Sequence, residues 1–131
     1  MFDWKKPTVE MLGRWQPWHD GHTELFKRAL KKTGQVCIMY RDVGGVDAGV
    51  KGQGDNPFKF EEVKKNIVEV LSKHGYKEGK DYIVIRVPNI IDISYGRGVG
   101  YTFSEHDLGE KIHKISATNI RKNMRIKGEL K

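Results

Sequence analysis

Residues 8–40 read TVEMLGRWQPWHDGHTELFKRALKKTGQVCIMY, and the order of their apolar runs sets the fold. TVEML, residues 8–12, is short and apolar enough for a buried strand. Leu25, Phe26, Ala29 and Leu30 then recur at helical spacing, forming one stripe of a helix that Gly34 ends. QVCIMY, residues 35–40, is a continuous apolar run with the length and β-branched content of a strand covered on both faces. Strand, helix, strand in that order is a βαβ unit with parallel strands.

Between the first strand and the helix, residues 13–22 read GRWQPWHDGH and place His19 and His22 at the helix entrance. A helix beginning near His22 leaves its first backbone N–H groups unpaired and points its positive dipole end at whatever lies above the strand, so an anion is expected there. Gly21 lets a phosphate approach the backbone closely, and Pro17 sets the turn that lifts the chain off the strand. A zinc reading of the two histidines lacks further ligands: Cys37 sits inside an apolar run, and His74, His106 and His113 are scattered. No protein-held metal is expected.

Further along, residues 41–55 read RDVGGVDAGVKGQGD, with five glycines and no hydrophobic period. A loop of that length leaving the C-terminal end of a strand is expected to be a lid over a ligand. Phe60, Val63, Ile67, Val70 and Leu71 mark a second helix that Gly75 stops, and DYIVIRVP, residues 81–88, is a third strand. Repeated strand, helix, strand assembles by right-handed crossovers into an α/β fold, a single doubly wound, Rossmann-like domain over residues 1–131 with a parallel sheet flanked by helices. Residues 89–103, NIIDISYGRGVGYTF, read either as a strand with a glycine-rich turn or as irregular chain, and their glycines do not form a dinucleotide-binding motif.

The chain has 131 residues, one cysteine and a formal charge of +7. One modest core suits that length, and the lone cysteine excludes an internal disulfide framework. With no apolar stretch near the length of a membrane span and no signal-like start, the expectation is a cytoplasmic protein without membrane association. The positive balance favours an anionic partner, nucleic acid or nucleotide.

A second phosphate signal stands near the end, where KIHKISATNIRKNM, residues 111–124, puts Ser116 and Thr118 before a short helix carrying Arg121. His19-Asp20-Gly21-His22 and Ile115-Ser116-Ala117-Thr118-Asn119-Ile120-Arg121 together resemble, in the right order, the HxGH and ISxTxxR signatures of the HxGH nucleotidyltransferase superfamily of cytidylyl- and adenylyltransferases. Asn56-Pro57-Phe58 resembles the NPF of the archaeal adenylyltransferases.

The resemblance implies attack by an acceptor phosphate oxygen on the α-phosphorus of a nucleoside triphosphate, pyrophosphate leaving, without a covalent enzyme intermediate. It casts His22 on the α-phosphate, His19 on the triphosphate, and Ser116, Thr118 and Arg121 on the β- and γ-phosphates. Gly13, Arg14, Trp15, Gly21 and Lys51 complete the expected nucleotide contacts, and Arg41 and Arg97 are the expected acceptor contacts. Trp18, Tyr95 and Tyr101 are further aromatic candidates for stacking on the base or lining the acceptor pocket, core filling being the plainer role. Mg2+ is implied with the triphosphate.

The partners implied are CTP or ATP and a small phosphate- or phosphonate-bearing acceptor. The wording GRWQP, NPF and ISATNIR resembles the adenylyl-transferring branch, and Lys111 stands where the cytidylyltransferases carry an arginine, but compact length resembles the small cytidylyltransferases and the expectation leans slightly to CTP, with ATP the alternative. Related enzymes often form dimers or larger assemblies, so a homodimer is the expectation. Two rival readings remain: a basic nucleic-acid-binding module, which leaves the paired motifs unexplained, and a nucleotide-binding regulatory module without turnover.

Overall fold

A computed structural model describes residues 1–43, 57–97 and 100–104. In chain order the elements are β1 (Val9–Gly13), α1 (Asp20–Thr33), β2 (Val36–Arg41), α2 (Phe60–Lys73) and β3 (Tyr82–Val87). The strands form one parallel sheet in the order β1-β2-β3, with Met11 beside Ile38 and Ile38 beside Val84 in a single row. β2 is central, and its residues 36–38 are buried on both faces, as its uninterrupted apolar run requires.

Side chains alternate across a sheet, so the row through Met11, Ile38 and Val84 shares one face with Val36, Tyr40 and Tyr82. That face meets Phe26 and Ala29 of α1 and Val63, Ile67 and Leu71 of α2 in one buried cluster. Both helices therefore lie on the same side of the sheet, as right-handed crossovers between successive neighbouring strands dictate. Leu12, Cys37, Met39, Ile83, Ile85 and Val87 alternate onto the other face together with Glu10 and Arg41, and none of them belongs to this cluster. The architecture is the three-stranded parallel half of a Rossmann-like fold; the reversal of strand order that makes such a sheet doubly wound is not among the described residues.

The expected stripe residues Phe26 and Ala29 of α1 are buried, with Leu25 and Leu30 packed partly against them. Gly34 ends α1 at φ 84, a left-handed conformation that lets its N–H reach the Leu30 carbonyl at 2.7 Å. Residues 88–97 and 100–104 contain neither helix nor strand, which decides between the two readings of that segment in favour of irregular chain. Among the described residues no helix is long and apolar enough to cross a membrane.

Candidate active site

α1 begins at Asp20, two residues before the expected start near His22, because His19 serves as its N-cap. The Gly21 N–H donates to His19 Nδ1 at 3.0 Å, and the His19 N–H donates to His22 Nδ1 at 3.1 Å. The two imidazoles thus form a reciprocal capping box, a role usually filled by a hydroxyl or carboxylate and a glutamate. The His22 and Thr23 N–H groups close onto the His19 carbonyl at 2.9 and 3.1 Å. This corrects one expectation: the N–H groups of Gly21, His22 and Thr23 are taken within the chain, which turns attention to the ring N–H groups as donors.

The rings supply them. A nitrogen that accepts a hydrogen bond carries no proton, so each neutral imidazole has its proton on Nε2. Each ring turns its Nδ1 edge to the backbone and its Nε2–H edge away from it. The rings are stacked, with centroids 3.6 Å apart and planes within 20°. Burial, and then the neighbouring His19 ring, hold the His22 pKa down at about 3. Burial also lowers that of His19, against the opposing pull of Asp20. Near neutral pH the site therefore presents two uncharged N–H donors side by side.

Trp15 and Trp18 wall the pair. Their rings meet His22 at centroid distances of 4.8 and 5.4 Å and each other at 5.0 Å, and both are buried. The Trp15 indole donates to the Met39 carbonyl and the Trp18 indole to Thr23 Oγ1. Trp15 adopts φ 52, in the left-handed region that side chains with a Cβ seldom occupy, which folds its ring back over Gly13. A methyl group at Gly13 would lie 2.9 Å from that ring, so glycine is needed there for close approach. Gly13 and Trp15 thus shape the wall behind the histidines.

β1 ends at Gly13, and the histidine turn follows it at the C-terminal edge of the sheet, where open α/β folds bind ligands. Arg14 stands half-buried at the start of that turn. Arg41 closes β2 at the same edge; it is half-buried, donates from Nη1 to the Ile90 carbonyl at 3.3 Å, and its buried Nε meets no partner among the described residues. Gly21, the second residue of α1, is buried. Arg97 is exposed in the irregular segment, where the exposed Tyr95 gathers Tyr101 and Phe103 at centroid distances of 6.5 and 6.0 Å. Lys51, Ser116, Thr118 and Arg121 lie outside the described residues, as do residues 44–55 of the expected lid and Asn56.

Sequence reasoning passed over Gln16. Its side chain is 2 % exposed and donates from Nε2 to the Phe58 carbonyl at 3.0 Å while Oε1 accepts the Phe58 N–H at 2.9 Å. A polar residue set between two tryptophans, WQPW, was the available signal.

No family model matches the sequence, and no solved structure matches it. Over 81 residues the chain is 30% identical to a nicotinamide-nucleotide adenylyltransferase of Methanococcus aeolicus. That stretch covers 61% of this chain and 41% of the relative, so the chain spans well under half the length of the curated protein it matches.

Proposed function

We propose that the chain is a nucleotidyltransferase that moves a nucleoside monophosphate from a triphosphate to a small phosphate- or phosphonate-bearing acceptor. The observation that carries this reading is the stacked histidine pair at the start of α1. Its two Nδ1 atoms are committed to the backbone, its Nε2–H edges are free of that duty, and it stands at the C-terminal edge of a parallel sheet. In-line displacement at phosphorus needs charge stabilised on phosphoryl oxygens more than it needs a protein nucleophile. Uncharged N–H donors held rigidly provide that stabilisation without competing for the acceptor's proton.

In this reading an acceptor phosphate oxygen forms a bond to the α-phosphorus as the bond to the leaving pyrophosphate breaks. His22 Nε2–H donates to an α-phosphate oxygen, and His19 Nε2–H to the neighbouring phosphates. Ser116, Thr118 and Arg121 hold the β- and γ-phosphates, the arginine as a forked donor. Lys51 meets the triphosphate from the β2–α2 loop. Arg14 adds positive charge at the turn, and Arg41 and Arg97 receive the acceptor's anionic group. Mg2+ comes as part of the triphosphate substrate.

The similarity to an adenylyltransferase favours ATP as donor and nicotinamide mononucleotide as the first acceptor to try. CTP, suggested by compact length, is the alternative donor. Pyrophosphate release with Mg2+ from ATP and from CTP, across a panel of phosphate and phosphonate acceptors, tests the reading. Acceptor-dependent release from one triphosphate supports it; triphosphate binding without release from any acceptor points to a regulatory module instead.

A further inference from the structure

Two loops leave the C-terminal edge of the sheet: the histidine turn after β1, and the segment between β2 and α2 that lands at Phe58 just before the helix. One buried side chain joins them. The Gln16 amide pairs with the Phe58 peptide in both directions, and the Tyr40 hydroxyl donates to the same Phe58 carbonyl at 3.3 Å. Buried amide bonds of this kind are costly to leave half made, so the pair is held in one geometry. The backbone of Gln16 continues through Pro17 and Trp18 into His19, so the clamp fixes the histidine turn and the landing point of the β2–α2 loop at one spacing.

We propose that Gln16 is a positioning residue, which holds the histidine pair at a fixed distance from Phe58 at the foot of α2 so that both Nε2–H edges meet one ligand. Gln16 is 2 % exposed and turned onto the Phe58 peptide, so its effect on a ligand runs through the turn that carries the histidines. The inference rests on the nucleotidyl-transfer reading for its catalytic consequence, but the clamp itself is tested without turnover.

Two variants separate the roles. Gln16→Met keeps the length and apolar stem and removes both bonds. Gln16→Glu keeps the acceptor for the Phe58 N–H, but as a carboxylate it sets a second oxygen against the Phe58 carbonyl. When protonated it donates there as glutamine does. In Gln16→Met, the Phe58 amide is expected to exchange faster and the His19 and His22 ring resonances to move in NMR spectra. Wild-type ring shifts beside a freed Phe58 amide would overturn the coupling, whatever the activity.

In turnover, at temperatures well below melting, Gln16→Met is expected to lose about ten- to a hundredfold in kcat, the scale of a misplacement near 1 Å. The ratio of Gln16→Glu to wild type should rise as pH falls through the titration of the introduced carboxyl group, while that of Gln16→Met stays flat. Wild-type kcat in both folded variants would reduce Gln16 to a structural residue. If wild type itself releases no pyrophosphate, the functional reading fails while the resonance test still decides the clamp.

Discussion

The imidazoles of His19 and His22 lie face to face, centroids 3.6 Å apart, and each accepts a backbone N–H on Nδ1. The same two bonds that start α1 also choose the tautomer, leaving both protons on the Nε2 edges. Helix capping and the presentation of donors are thus one arrangement, and the two duties can be separated by substitution.

The capping duty is transferable. A double variant His19→Ser, His22→Gln restores the common capping box with an uncharged side chain at the buried position and lacks both ring donors. Its stability is expected to stay within about 1 kcal/mol of wild type, since a good cap is worth about that much, while transfer activity is lost. Urea unfolding and circular dichroism check the first half, pyrophosphate release the second.

Acid should weaken the fold through His22. The folded state holds this ring neutral down to about pH 3, whereas the unfolded chain takes up its proton near 6.5. Between those values the unfolded state binds more protons, so stability falls as pH is lowered through that window, by at most about 1.4 kcal/mol per pH unit for one proton. Above 6.5 the contribution is constant. His22→Gln keeps an acceptor at that position and removes the titration, so its melting temperature should fall less steeply with acid; identical slopes would contradict the assignment.

Gly13→Ala should be costly for so small a change. The added methyl meets the Trp15 ring at 2.9 Å, and that ring is tied to Met39 and packed on His22. Overpacking of this kind destabilises by about 1–3 kcal/mol, and here it is transmitted to the histidine. Urea unfolding and a shift in tryptophan fluorescence should report it, along with reduced turnover.

Gln35 is the contrasting case at the opposite end of the strands. Buried, it accepts from the Asp3 N–H at 3.0 Å and donates to the Asp3 carbonyl and Thr8 Oγ1, both at 2.7 Å, pinning the N-terminal segment beneath the sheet. Gln35→Leu leaves those partners unsatisfied and should lose about 1–3 kcal/mol. Because the histidine turn lies at the other edge, kcat of the folded protein should stay at the wild-type value.

The five elements were legible because their apolar residues repeat with helix or strand period: Phe26, Ala29, Val63, Ile67 and Leu71 are buried as their spacing requires. The start of α1 was read two residues late because histidine is an uncommon cap, and its ring nitrogens give no periodic signal. Ile91, Ile93 and Tyr95 alternate like a strand yet are exposed and unladdered, since period alone does not supply a pairing edge. The histidine pair at the helix entrance was visible from the sequence; its tautomers and the Gln16 clamp were not, because both depend on backbone groups brought together by folding.

The most direct test of the central claim compares pyrophosphate release by wild type and by His22→Ala, with Mg2+ and the triphosphate and acceptor that the wild type uses, after circular dichroism has shown the variant folded. Loss of a rigid donor to the reacting phosphate predicts a fall of about a hundred- to a thousandfold in kcat. Release at the wild-type rate by the folded variant would contradict the account.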